Sequence, residues 1–146
     1  MKAVSSTLAV DAAILMTAVL GRNTGAMVEA LKAARLVTTD RAVVEVSRRL
    51  ELGLKRPALL SVLADVLEHL TVVQVSTLAA NLGRAEAVLR DSVPTRNGSI
   101  SDAHMLALSW AVDADIWTHD RDFAGAGVAT WSTINLIRAL HASGAP

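Results

Sequence analysis

The chain has 146 residues, 52% hydrophobic and 19% charged, which excludes intrinsic disorder and gives one domain enough length to bury a core. Fourteen Lys and Arg offset fourteen Asp and Glu, so a polyanion cannot be held by bulk charge and must be met by a local basic patch or a bound cation. The absence of Cys excludes disulfides and thiolate zinc sites and suits a reducing compartment.

From the amino terminus, Ser5, Ser6 and Thr7 interrupt the first apolar stretch and Asp11 places a charge inside it. The apolar run over 12–20 is shorter than the roughly 20 residues that span a bilayer. A soluble cytoplasmic protein is therefore expected. Residues 8–10 read as a buried strand, followed by a helix over 12–20 rich in Ala, Leu and Met and ended near Gly21. A second helix is expected over 27–36, with Met27, Ala30, Leu31 and Ala34 at helical spacing, and a brief strand over 37–39. Thr39 or Asp40 offers an N-cap for a helix to about Leu54, whose Val43, Val46, Leu50 and Leu54 fall on one face.

Pro57 suits the first turn of a helix over 58–70. The β-branched run 71–75 reads as a strand and 77–90 as a helix despite Gly83. Residues 92–99 are the clearest loop, with Pro94, Asn97 and Gly98. A helix over 101–112 is apolar nearly all round and should be buried. A strand over 115–120 ends in polar residues, Gly125 and Gly127 mark a turn, and a strand over 128–131 leads into a helix over 133–141. The alternation predicts a single α/β domain over 1–146, with a mainly parallel sheet of about five short strands and a frayed tail after about 140.

Carboxylates recur at strand ends. Asp11 closes the first strand, Asp120 the fourth, with Asp122 two residues on; Asp102 opens the buried helix and Glu45 lies one turn into its own. In open α/β sheets ligands bind beyond the carboxyl ends of the strands. Acids that converge there repel one another unless a cation or retained proton is present, and an all-oxygen set suits Mg²⁺ or Mn²⁺. Each acid also has a local role: Asp11 as helix cap, Asp102 in a capping box with Ser99, Glu45 in pairing with Arg41 and Arg49, Asp120 and Asp122 as turn residues. Spacing alone leaves both readings open.

The motifs resemble those of PIN-domain ribonucleases, most closely the stand-alone VapC toxins of bacterial toxin–antitoxin systems. Leu8-Ala9-Val10-Asp11-Ala12 with its apolar helix, the apolar-flanked glutamate of Val43-Val44-Glu45-Val46, and Ser101-Asp102-Ala103-His104-Met105-Leu106-Ala107-Leu108-Ser109 all resemble the family's acidic segments. So do Ile116-Trp117-Thr118-His119-Asp120-Arg121-Asp122-Phe123 and the closing strand Gly127-Val128-Ala129-Thr130-Trp131-Ser132; the segment 55–96 carries no such signature. The resemblance implies a three-layer α/β/α fold and an acidic pocket of Asp11, Glu45, Asp102 and Asp120. Asp11, Asp102, Asp120 and the auxiliary Asp122 would ligate Mg²⁺ or Mn²⁺. Glu45 would orient the attacking water or bind a second ion, and Thr118 would hydrogen-bond a ligating carboxylate. The implied chemistry is hydrolysis of an RNA phosphodiester without a protein nucleophile.

Between Arg41 and Arg56 five bases face two acids, whereas between Asp102 and Asp122 five acids face one base. This polarity makes Arg48, Arg49 and Arg121 candidate RNA contacts. His104 and His119 are not assigned as ligands, and Trp117 and Trp131 are expected in the core or an interface. The resemblance also implies a homodimer and a separate antitoxin, with the helices over 27–36 and 58–70 as candidates for the antitoxin groove; a mean hydropathy of +0.41 is compatible with apolar surface for a partner. Alternatives are a housekeeping RNA-processing nuclease, a non-catalytic module of the same fold, and a phosphoacceptor receiver, the last disfavoured because Lys55 is the final Lys.

Overall fold

The computed structural model describes residues 3–90, 103–119 and 127–144. Five strands form one parallel sheet: β1 (Thr7–Val10), β2 (Arg35–Thr39), β3 (Thr71–Val73), β4 (Asp115–Trp117) and β5 (Thr130–Trp131), in the order β3-β2-β1-β4-β5. Seven helices surround it: α1 (Ala12–Val19), α2 (Thr24–Ala33), α3 (Asp40–Arg48), α4 (Leu60–Leu67), α5 (Ala79–Arg90), α6 (Ala103–Val112) and α7 (Thr133–Gly144). The expected α/β/α architecture with a parallel sheet is present. Its strand order differs from the 2-1-3-4-5 order of receiver-type α/β domains, which removes the phosphoacceptor alternative.

Strand alternation builds two cores. Leu8, Val10, Leu36, Trp117 and Trp131 face one side and pack against Ile14 and Leu15 of α1, Ala30 of α2, Val46 of α3, Leu63 of α4 and Leu136 of α7. Ala9, Val37 and Ile116 face the other and pack against Leu78, Ala85 and Leu89 around α5, and against α6. Strands β1, β2 and β4 each supply both cores because successive side chains point to opposite faces. Buried on both faces, such strands read as continuous apolar runs, as Leu8-Ala9-Val10 does. Every residue of α6 from Ala103 to Ser109 is buried, in agreement with its all-round apolar sequence.

Several boundaries differ from expectation. Helix α2 ends at Ala33, and the chain is already extended at Ala34, so Arg35 and Leu36 belong to β2 rather than to the helix expected over 27–36. Arg35 N–H donates to Ser6 O at 2.8 Å, which starts the β1–β2 ladder; tertiary pairing here overrides helical periodicity. Leu54, expected on the buried face after α3, is 48% exposed. The α-helix stops at Arg48 and a π-helical turn, Arg49–Gly53, follows, with Leu54 N–H donating to Arg49 O at 2.8 Å. The wider turn breaks the spacing that would have brought Leu54 round under Leu50.

The helix expected over 58–70 is a 3₁₀ turn at Pro57–Leu59 followed by α4, and that over 77–90 is a 3₁₀ turn at Val75–Leu78 followed by α5. Strands β3, β4 and β5 are shorter than the runs that announced them, and α7 spans Thr133–Gly144. The loop over 92–99 lies outside the described residues. Among the described residues no helix is long and apolar enough to cross a membrane.

Leu106 is fully buried, whereas Leu52 is 74% exposed. Leu106→Ala should lower the unfolding free energy by about 2–5 kcal/mol in urea denaturation, and Leu52→Ala by no more than about 0.5 kcal/mol.

Candidate active site at the carboxyl edge of the sheet

The chain runs β1 to β2 to β3 in one direction, then crosses to place β4 on the other side of β1. The seam between β1 and β4 is thus next to the point where strand order reverses, and the crevice beyond such strand ends is the usual ligand site in open α/β sheets. Asp11 follows the last residue of β1 there. Its backbone N–H donates to Trp117 O at 3.3 Å, prolonging the β1–β4 pairing by one residue. Its Oδ1 accepts the Ile14 N–H at 3.0 Å and caps α1. Its Oδ2 accepts the hydroxyl of Thr118, the residue after β4. Thr118 is in turn held by its own N–H, which donates to Trp131 O at 3.0 Å.

Asp11 is only 9% exposed. A buried carboxylate is tolerable when donors satisfy it, and an N-cap amide plus a hydroxyl do so directly. Asp11 thus caps α1 through one oxygen and accepts the Thr118 hydroxyl through the other. A carboxylate has about four acceptor directions, so these bonds are compatible with ligation of a hard cation. The Asp11 carboxylate and the Thr118 hydroxyl on it are oxygen donors, a type that suits hard cations such as Mg²⁺ or Mn²⁺ better than soft metals. Thr38 fastens the same edge, its hydroxyl donating to Val10 O at 2.8 Å.

Glu45, Arg48 and Arg49 are exposed on α3 and the π-helical turn. Helix α3 starts directly after β2, so its N-terminus also stands at the carboxyl edge. Asp102, Asp120, Arg121 and Asp122 lie outside the described residues. Among the described residues, no three His, Asp or Glu side chains gather around a common point. Trp117 and Trp131 are core residues, the latter donating from Nε1 to Asp115 Oδ2 at 2.9 Å. His119 is exposed, with Nε2 3.3 Å from Thr133 Oγ1. A cavity of about 420 Å³ lined by Arg84, Trp110, Asp113 and Asp115 opens at the other, amino end of β4, away from Asp11; Arg84 stacks over the Trp110 ring at 5.0 Å.

Sequence reasoning missed a second polar link. Thr39 ends β2 and caps α3, its Oγ1 accepting the Ala42 N–H at 3.0 Å. The same oxygen lies 2.8 Å from Nδ1 of His104 in the first turn of α6, and both residues are buried. The Thr39 hydroxyl and the imidazole thus share a buried hydrogen bond whose direction depends on the His104 tautomer. Burial, aided by the Arg41 guanidinium and opposed by Asp40, lowers the His104 pKa from 6.5 to about 4. The Thr-Thr-Asp run at a strand end hints at capping, but its pairing with a histidine 65 residues later has no sequence signature.

A PIN-domain family model matches residues 9–141. The chain belongs to the PIN-domain family. No curated protein sequence matches it. Among solved structures, it is similar to a chain in the crystal structure of VapBC2 from Rickettsia felis bound to a DNA fragment from their promoter, with a TM-score of 0.71 and 13% sequence identity. The match covers 86% of this chain and 98% of that chain, so the PIN fold is shared over nearly all of both.

The neutral imidazole of His104 gives this PIN domain a pH dependence of defined sign. The folded pKa lies below that of the unfolded chain, so the unfolded state binds more protons between the two values. The stability that depends on neutral His104 is complete above pH about 6.5 and is lost as pH falls towards about 4. Between pH 7 and 4.5 the wild type should lose about 2–3 kcal/mol more than His104→Leu in parallel urea denaturation.

Proposed function

We propose that this PIN domain is a Mg²⁺- or Mn²⁺-dependent ribonuclease and the toxin of a toxin–antitoxin pair. The observation that carries the reading is the buried Asp11 carboxylate at the β1–β4 seam, fixed by α1 through one oxygen and by Thr118 through the other. Asp11 would hold the metal together with Asp102, Asp120 and the auxiliary Asp122. When bound, the ion supplies neutralisation of the scissile phosphate and acidifies water.

The other steps belong to the chain's own side chains. Thr118 fixes the rotamer of Asp11, so its carboxylate is already oriented when substrate arrives. Glu45, exposed on α3, orients the attacking water and takes its proton as water adds to phosphorus; the P–O bond to the leaving ribose oxygen breaks, and that oxygen takes a proton from solvent water to leave as the hydroxyl. Arg48 and Arg49, exposed beside Glu45 in sequence, contact the RNA backbone as positive charges, with Arg121 as a third candidate. The neutral total of the chain fits this division, because RNA is met by one basic stretch.

The proposed partners are an RNA substrate, a cognate antitoxin and a second copy of the chain, acting in the cytoplasm. The similarity to a chain of a VapBC2 complex supports the antitoxin. Val28, 46% exposed on α2, lies on one of the two helices expected to line the antitoxin groove.

The deciding experiment incubates total RNA with wild type and Asp11→Asn, with and without chelator, and maps the cut ends. Asn keeps an oxygen for the Ile14 cap, so the variant should stay folded while the loss of charge removes the metal ligand. Cleavage should fall at least about 100-fold in Asp11→Asn and vanish with chelator. Equal rates in both proteins would defeat the assignment. Cleavage without growth arrest on unpartnered expression would identify a housekeeping RNA-processing nuclease, and absence of Mn²⁺ binding a non-catalytic module.

A further inference from the structure

The cavity at the amino end of β4 is separate from the proposed active site. Its volume of about 420 Å³ falls in the range of pockets that hold small ligands. Arg84 reaches it from α5, Ser109 and Trp110 from the last turns of α6, Asp113 and Asp115 from the turn into β4, and Val128 from the segment before β5.

Most of its polar groups serve the fold. Ser109 donates its hydroxyl to Ala114 O. Asp115 Oδ2 accepts the Ser5 N–H and the Trp131 Nε1–H, each at 2.9 Å, and so fastens the amino-terminal segment and β5 to β4. The Arg84 guanidinium lies over the half-buried Trp110 ring, with Cζ 5.0 Å from its centroid, and pairs with no carboxylate among the described residues. Asp113 is the unusual residue. It follows α6 at φ +53, and Ala114 N–H donates to Ser109 O at 2.9 Å, the bond that closes a helix whose left-handed end residue is ordinarily Gly. Termination of α6 would be served best by Gly. Asp places there an exposed carboxylate that accepts no hydrogen bond among the described residues.

The lining sets one guanidinium against two carboxylates, so a simple anion and a simple cation are each opposed by part of it. A neutral planar group rich in N–H donors is opposed by neither. An unpaired nucleobase is such a group, and indole rings and guanidinium planes are the surfaces on which bases stack. Among the RNA bases, guanine alone presents two N–H donors from adjacent atoms on its Watson–Crick edge, which match the two oxygens of a carboxylate.

We propose that this cavity is a guanine-nucleotide site, in which the Asp113 carboxylate accepts the N–H donors of the base, Trp110 and Arg84 give it a flat wall, and Arg84 meets the phosphate. Free GMP and an unpaired guanosine of RNA offer the same chemistry. The site goes beyond the proposed hydrolysis and needs neither a metal nor Asp11.

The test is calorimetric titration of the full chain with GMP, AMP and two single-stranded oligoadenylates, one of which carries a single central G. Chelator is present throughout, so the proposed metal site is silent and the outcome does not depend on cleavage. GMP should bind at least about tenfold more tightly than AMP. It should also quench the fluorescence of Trp110, the half-buried one beside the buried Trp117 and Trp131. Asp113→Asn, a residue suited to positive φ that puts an N–H donor in place of one oxygen, should weaken GMP about tenfold or more and leave AMP unchanged. Arg84→Gln, at an exposed position of α5, should weaken both nucleotides and decides the matter should Asp113→Asn fail to fold. Tighter binding of the G-containing oligomer than of the all-A oligomer identifies an RNA guanosine as the ligand. Equal binding of the two oligomers beside selective GMP binding identifies the free nucleotide. No binding of GMP at millimolar concentration, equal affinity for GMP and AMP, or unchanged GMP affinity in a folded Asp113→Asn or Arg84→Gln overturns the inference.

Discussion

The bond between Thr118 and the carboxylate of Asp11 joins the ends of two strands that are distant in the chain and adjacent in the sheet. Burial makes it consequential. A carboxylate removed from water must be matched by donors, and the fold provides one from the helix that follows β1 and one from the residue that follows β4. The same side chain thus starts α1, closes the β1–β4 seam and presents a negative charge at the crevice. A structural cap and a candidate ligand are one group here, and the two roles reinforce each other because the cap removes the rotamer freedom that ligation would otherwise have to freeze.

Around that seam the sheet divides its side chains between two apolar layers, and this division accounts for the composition. Strands of three to five residues, buried on both faces, together with an all-round apolar α6, demand a hydrophobic content that a one-sided sheet would not. Most of the described charged residues are left to the outer helices and connections. Arg41, Glu45, Arg48 and Arg49 are all exposed on α3 and the turn after it, so local polarity coexists with a neutral total.

Much of the fold was legible because it is written in short-range patterns. The order of strands and helices followed from apolar runs, β-branched residues and turn residues, and the parallel sheet from their alternation. Boundaries were less legible where two local rules compete. Ala34, Arg35 and Leu36 carry helical spacing, yet the open ladder position beside Ser6 and Thr7 claims Arg35 and Leu36 for β2. Leu54 carries the right spacing for α3, yet the helix widens to a π turn before reaching it. In the candidate site, Asp11 as a cap could be read from its position before an Ala- and Leu-rich run. The Thr39–His104 pair could not, because His104 looks like one polar interruption of an apolar helix until β2 is packed beneath it.

The sequence by itself determined the class of fold, the element order, the family of motifs and the acid at the end of β1, since all of these depend on neighbours within a few residues along the chain. Only the tertiary structure decided that Thr118 meets Asp11 and that Thr39 meets His104, contacts spanning 107 and 65 residues. Such contacts follow from strand order and from which face of the sheet each helix covers. They carry no periodic signature, because a single hydrogen bond between remote residues leaves no mark on the spacing of either segment.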